Sequence, residues 1–174
     1  ADFGVGAADI LIAREKGADL VITASIFQES ATRLYATKET PFATPADLKG
    51  LRVSRITNDL LDVEFQAMLK SNGIELNDII TITHQPGIDH LLQGKADIIP
   101  GYSITIPYLA QIHGVQLQAL KPSLHGVQFY GDSLFTTQQQ ISTRPDVVKK
   151  FTEASIRGWD YAIKHRAEIA QRIS

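Results

Sequence analysis

The residues with chemistry to offer in this 174-residue chain gather at short loops, each lying after a strand-like run. Gly6-Ala7-Ala8-Asp9 is the first. Unpaired N–H groups at a helix N-terminus suit an anion or a polar ligand edge. Asp9 can also serve as nothing more than a cap on its own helix. Gly101-Tyr102-Ser103 is the counterpart further on, where Tyr102 can stack on a ring, bond to it, or fill a structural hole. Thr57-Asn58-Asp59 brings hydroxyl and amide groups to a third helix start, and works equally as a plain N-cap. His84 follows the strand-like Ile80-Thr81-Ile82-Thr83, where open α/β sheets place functional side chains. Phe129-Tyr130-Gly131-Asp132 sets two rings, a glycine and a carboxylate in a segment poor in regular structure. Tyr130 offers a stacking face and Asp132 an acceptor, although Gly-Asp is also an ordinary turn.

Other chemistries are poorly served. There is no G-x-S-x-G elbow and no S-x-x-K. Gly4-x-Gly6 lacks the third glycine and the later acidic residue of a dinucleotide fingerprint. Asp59 and Asp62 stand at i, i+3 on one helix face and are expected to be solvated. The five histidines have no metal-ligand spacing; His90, His113 and His165 are expected at the surface or at helix ends. The absence of cysteine excludes disulfides, thiol nucleophiles and thiolate metal sites. A net charge of −2 gives no electrostatic reason to expect nucleic acid or anionic membrane as a partner. No catalytic residue, metal or cofactor is expected.

The elements that must hold these loops are legible from periodicity. Residues 2–5, 20–25, 32–37, 51–56, 79–83, 96–100, 116–120 and 134–137 read as strands. Residues 8–16, 59–72, 87–93 and 104–112 read as helices, and Pro145 opens a final one that continues helical through 166–173. Alternation of this kind implies a mostly parallel sheet covered by helices. The pattern also repeats. Ala1-Asp2 and Ala96-Asp97 each stand five and four residues ahead of a glycine that ends a short apolar strand, and each is followed by helix, glycine and strand. Two matching units imply two similar α/β lobes facing a ligand cleft. Position 1 reads as the inside of a strand, so the expected chain is a fragment whose first lobe has earlier elements elsewhere.

The run ADFGVGAADILIAREKGADLVITASIFQES resembles the first lobe of bacterial solute-binding proteins of the nitrate/taurine type, and most closely the branch that handles thiamine pyrimidine precursors. TPADLKGLRV resembles that family's entry into its second lobe, HGVQFYGDSLFTT its return segment, and RPDVVKKFTEASIRGWDYAIKH its C-terminal helices. The resemblance implies a type II periplasmic-binding-protein fold. Lobe one would be residues 1–38 and 133–174, lobe two 46–128, and the hinge crossings 39–45 and 129–132. The N-terminal part of lobe one would be missing. That incomplete lobe offers a surface for pairing with a second copy. The same domain serves as a transport receptor beside an ABC permease, and as the extracytoplasmic sensor of membrane-bound histidine kinases or diguanylate cyclases. The implied location is periplasmic or extracytoplasmic, with a membrane tether in the sensor case. Related eukaryotic enzymes that make the thiamine pyrimidine bind pyridoxal phosphate and carry a cysteine-rich motif. A chain without cysteine departs from them, and that enzyme is the alternative.

Within this resemblance the ligand is a small polar heteroaromatic molecule. Gly6, Ala7, Ala8, Asp9, Phe27, Gln28, Tyr130 and Asp132 are expected to contact it from lobe one and the crossing. Thr57, Asn58, His84, Gly101, Tyr102 and Ser103 are expected to contact it from lobe two. Gln28 and Asn58 can donate and accept, Asp132 accepts, and Tyr102 and Tyr130 can sandwich a flat ring.

Overall fold

A computed structural model describes residues 1–57 and 59–173. In chain order the strands are β1 (Phe3–Gly6), β2 (Leu20–Ser25), β3 (Thr32–Thr37), β4 (Arg52–Arg55), β5 (Ile80–Thr83), β6 (Ile99–Tyr102), β7 (Leu117–Leu120) and β8 (Ser133–Thr137). The α-helices are α1 (Asp9–Glu15), α2 (Leu60–Ser71), α3 (Asp89–Leu92), α4 (Ile106–Ile112), α5 (Gln138–Thr143), α6 (Pro145–Lys164) and α7 (Arg166–Ile173). The chain forms two units, residues 1–28 with 130–174 and residues 29–129.

The first unit is a three-stranded sheet in the order β1-β8-β2. Both outer strands run antiparallel to β8, so β1 and β2 run the same way as each other. The sequence expectation of a mostly parallel sheet is therefore corrected in a specific manner. The β1-α1-β2 unit does make its parallel return, but a strand from more than a hundred residues later inserts between its two arms. Helix α6 lies against this sheet through Phe151, whose ring stacks on Phe3 at 4.0 Å, and Trp159, which meets Phe27 edge-on at 5.0 Å. Helix α5, which the sequence reading did not identify, is capped by Thr137, whose hydroxyl accepts from the Gln140 N–H at 3.1 Å.

The second unit repeats the device. Strands β6 and β7 both run antiparallel to β3, in the order β6-β3-β7. Here β6-α4-β7 is the split parallel pair and β3 the inserted strand. An isolated parallel bridge between Val53 and Ile98 joins this sheet to the parallel pair β4-β5. Alternation along β3 and into β6 sends Leu34 and Ile98 to one face and Tyr35 and Ile99 to the other. One face packs on α2 through Phe65, Met68 and Leu69; the other packs on α3 and α4 through Leu91, Ile106 and Ala110. Helices on both faces of a sheet make this an α/β unit.

The repeated glycine has a packing cause in each copy. A Cβ on Gly6 would stand 3.0 Å from Ile10 Cγ1, in the first turn of α1, and one on Gly101 would overlap Ile106 Cγ1, in the first turn of α4. Each glycine is bare because an isoleucine from the next helix occupies the place of its side chain.

One further expectation changes. The outgoing division falls at Gln28–Glu29 rather than at 39–45, while the return, between Phe129 and Tyr130, lies within 129–132. Residues 32–37 belong to the second unit because they are the central strand of its sheet, a long-range pairing that no local pattern encodes. The proline-rich Thr40–Pro45 stretch, expected as the crossing, is a connection inside that unit.

Candidate functional site

Strand direction determines which loops share an edge. In the second unit β4, β5 and β6 run the same way, so the residues that follow them emerge at one carboxyl edge. That edge carries Thr57 after β4, His84 after β5, and Tyr102 and Ser103 at the end of β6. Because β3 runs oppositely, its start lies there too, with Thr32 paired to Tyr102 and the Ser103 N–H donating to the Ala31 carbonyl at 2.9 Å. A cavity of about 360 Å³ opens beside the β4–β5 ends, lined by Arg55, Ile56, Thr57, Thr81, Ile82, Thr83 and His84. Thr57 and His84 are thus brought together as expected. Tyr102 and Ser103 are exposed on the same edge outside that lining. Gly101 is buried and occupied by Ile106, so it contributes no ligand surface. Asn58 lies outside the described residues.

The polar groups beneath this cavity were not found from the sequence. Ser54, fully buried on β4, places Oγ 2.9 Å from His84 Nδ1 and 3.4 Å from His90 Nδ1. His90, expected at the surface, is 6% exposed. It is covered because α3 seats it under the sheet edge, a tertiary placement invisible in a four-residue helix. Burial first, and then the neighbouring His90, push the His84 imidazole below its ordinary range, while Asp59 opposes them. His84 is accordingly a neutral ring near pH 7.

Asp62, expected to be solvated, is also buried. Arg55 donates to it twice, Nε to Oδ1 at 2.6 Å and Nη2 to Oδ2 at 2.8 Å, and Gln66 adds a third bond at 2.7 Å. The guanidinium at the cavity wall is therefore already matched by a carboxylate. Asp59 does act as an N-cap, its Oδ1 accepting from the Leu61 N–H at 2.9 Å. Glu64, one helical turn further along, is 2% exposed, with Oε1 unpartnered and the Ser30 and Thr32 hydroxyls beside the carboxyl. Burial holds its pKa above the ordinary carboxylate range. A signal for Glu64 existed. It sits three residues after Leu61 and four before Met68, on the helix face already read as apolar.

In the first unit the register Gly6–Ser133–Ser25 brings three loops to one sheet edge. Ser133 is buried, donating from Oγ to Ser25 Oγ at 3.1 Å. Asp132 holds the neighbouring segment through its backbone carbonyl, which accepts from the Ile26 and Phe27 N–H groups at 3.0 and 3.2 Å; the Gly131 N–H donates to Phe27 O at 2.9 Å. Phe27, Gln28, Tyr130 and Asp132 are thereby assembled, and all four are exposed, Phe27 at 40% and Tyr130 at 58%. Gln28 spends one donor on the Ser25 carbonyl at 2.9 Å. Ala7 and Ala8 are buried, and the Asp9 carboxylate folds back to accept from the Ala7 N–H at 2.8 Å. Asp9 does not cap α1 as a first-turn acceptor; its carboxylate reaches back to the Ala7 N–H ahead of the helix.

The model of the family described as NMT1/THI5 like matches residues 1–169. The chain belongs to the NMT1/THI5-like family. A relative named formylaminopyrimidine-binding protein, from Halalkalibacterium halodurans, is 23% identical over 164 residues, covering 92% of this chain and 49% of its own length. This family member therefore spans about half of that curated relative. Among solved structures it is similar to the periplasmic aliphatic sulphonate binding protein SsuA of Escherichia coli, with a TM-score of 0.74 at 21% identity over 96% of this chain and 57% of that one. It is also similar to the alkanesulfonate-binding protein SsuA of Xanthomonas axonopodis pv. citri bound to MOPS, with a TM-score of 0.68 at 18% identity over 97% and 58%. These likenesses establish the periplasmic-binding-protein fold.

Proposed function

We propose that this NMT1/THI5-like chain is a solute-binding domain of an ABC-type uptake system, acting outside the cytoplasmic membrane beside a permease. Its solute is a small, uncharged, polar heteroaromatic molecule of the thiamine-pyrimidine-precursor class. The relative named for formylaminopyrimidine and the structural neighbours named for sulfonates point to different solutes, and charge distinguishes them. At two strand-to-helix loops the chain's own carboxylate stands where an anion would come, Asp9 accepting from the Ala7 N–H and Asp59 from the Leu61 N–H, and each carboxylate would repel an anion there. The arginine at the cavity is spent on Asp62. What remains is hydroxyl and neutral imidazole, which pair with amino and ring-nitrogen groups. In the second unit we assign contacts to Thr57 and His84, with Tyr102 and Ser103 on the same edge. In the first unit we assign them to Gln28, Tyr130 and Asp132.

Isothermal titration calorimetry with formylaminopyrimidine, taurine and a longer alkanesulfonate tests this reading. The expected order is pyrimidine tighter than either sulfonate by at least about tenfold, or roughly 1.4 kcal/mol. Tighter binding of a sulfonate overturns the assignment.

A further inference from the structure

We propose that Ser54, His84 and His90 form a hydrogen-bond relay that makes His84 Nε2 an adaptable hydrogen-bonding group of the second unit's cavity, able to donate or accept according to the solute. The role of the cavity as a solute site rests on the function proposed above; the relay itself rests on geometry alone.

A serine hydroxyl has one hydrogen to give and two lone pairs to offer. Ser54 Oγ faces Nδ1 of both imidazoles. With one proton on each ring, it donates to one Nδ1 and accepts from the N–H of the other, so the rings must be in opposite tautomers. In one arrangement Ser54 donates to His84, whose proton sits on Nε2 and points a donor at the cavity. In the other, His84 Nδ1–H donates to Ser54, Ser54 donates to His90, and His84 Nε2 becomes an acceptor. Each arrangement carries one proton per ring and one on Ser54. Passing from the first to the second moves the Ser54 proton to His84 Nδ1 and the His90 Nδ1 proton to Ser54. It releases the His84 Nε2 proton to solute or solvent and takes one up from solvent at His90 Nε2. In neither arrangement is the buried hydroxyl unpaired.

Three observations make the arrangement more than a satisfied core serine. His84 lines the cavity while its Nδ1 is engaged beneath it. Among the described residues, His84 Nε2 has no protein partner. The remaining charged neighbours are matched: Arg55 by Asp62, and Asp59 by its bond to the Leu61 N–H. Among the described residues the imidazole therefore has an open hydrogen-bonding direction, beside Thr57, Thr81 and Thr83 of the same lining, and two ways to fill it. Ser54 and His90 act through His84 and are positioning residues. A solute presenting an acceptor, such as a ring nitrogen, selects the first arrangement; one presenting an amino group selects the second.

Long-range ¹H–¹⁵N NMR of the histidine rings near pH 7 tests the relay in the unliganded protein. The expected spectrum shows His84 and His90 in opposite tautomers or exchanging between them in concert. Ser54→Ala abolishes that correlation. Identical, fixed tautomers in the wild type overturn the proposal, and this measurement needs no variant to fold. Titration with formylaminopyrimidine then moves the His84 Nε2 resonance and shifts His90 with it, and Ser54→Ala weakens binding by about tenfold, the worth of one hydrogen bond. If the pyrimidine binds and the His84 ring nitrogens do not respond, the relay has no role in recognition and the proposal falls. If the pyrimidine fails to bind while the tautomers are opposed and Ser54-dependent, the solute assignment fails and the relay stands.

Discussion

Asp62→Asn is the sharpest probe of how the second unit holds a charge beside its cavity. The carboxylate side chain is 1% exposed and its Arg55 partner 11%. Removing one member of a buried pair leaves the other charge uncompensated, at a cost of about 3–5 kcal/mol. Asparagine keeps the volume and one acceptor oxygen, so the low end, about 3 kcal/mol, is expected. With a urea slope near 2 kcal/mol/M this lowers the unfolding midpoint by about 1.5 M. The assay should be far-UV circular dichroism, because the one tryptophan, Trp159, lies in the first unit and its fluorescence reports there. Coincident curves from the two probes would mean the units unfold together. Replacing both partners by apolar residues, Arg55→Met with Asp62→Leu, should recover most of the loss, since matched apolar burial commonly equals a buried pair. Asp62→Asn should also leave Arg55 free to attract an anion, so sulfonate affinity rises while stability falls. A midpoint drop under about 0.5 M, or no gain in sulfonate binding by the folded variant, refutes the reasoning.

Three further outcomes follow from the same geometry. Glu64 has its pKa raised by burial, so the folded state holds the proton to higher pH than the unfolded chain does. Stability is then full below the unfolded value, around pH 4, and declines as pH rises through the folded value; Glu64→Gln should raise the urea midpoint at pH 8 and make little difference at pH 4, and a reversed pH trend would contradict this. Gly101→Ala must push a Cβ into Ile106, which should cost about 1–3 kcal/mol in a denaturation midpoint; a neutral result would mean α4 shifts freely. Asp132 holds the structure through its backbone carbonyl, so Asp132→Ala should change stability by no more than about 0.5 kcal/mol yet weaken pyrimidine binding by about tenfold on calorimetry. Equal losses of stability and binding would assign its carboxylate to the fold instead.

Local signals carried much of the architecture. Leu20–Ser25 and Thr32–Thr37 were legible as strands to the residue, and Pro145 marked the start of α6. Loops sharing an edge were legible as well, because strand direction follows from alternation with helices. What the sequence hid was long-range. Nothing in Thr32–Thr37 says that it pairs with residues 99–102 and 117–120, and nothing in Ser133–Thr137 says that it enters between β1 and β2. The charges were hidden for a related reason. Asp62 reads as a surface residue until β4 places Arg55 opposite it, and Ser54 reads as a filler in Arg-Val-Ser-Arg until two histidines arrive from other elements.

The repeated motif shows how these hidden pairings serve the site. In both units a glycine at or next to the end of the strand lets an isoleucine from the following helix enter, and another strand completes the sheet between the two arms. The inserted strand runs against its neighbours, so it begins where they end. Its approach therefore delivers a second set of side chains to the carboxyl edge: Ser30 ahead of β3 and Thr32 at its start, Tyr130 and Asp132 ahead of β8. A plain βαβ unit offers that edge only the loops that follow its own strands. The antiparallel insertion, the feature that most departs from the sequence expectation, is what supplies Tyr130 and Asp132 beside Gln28, and the hydroxyls that face Glu64.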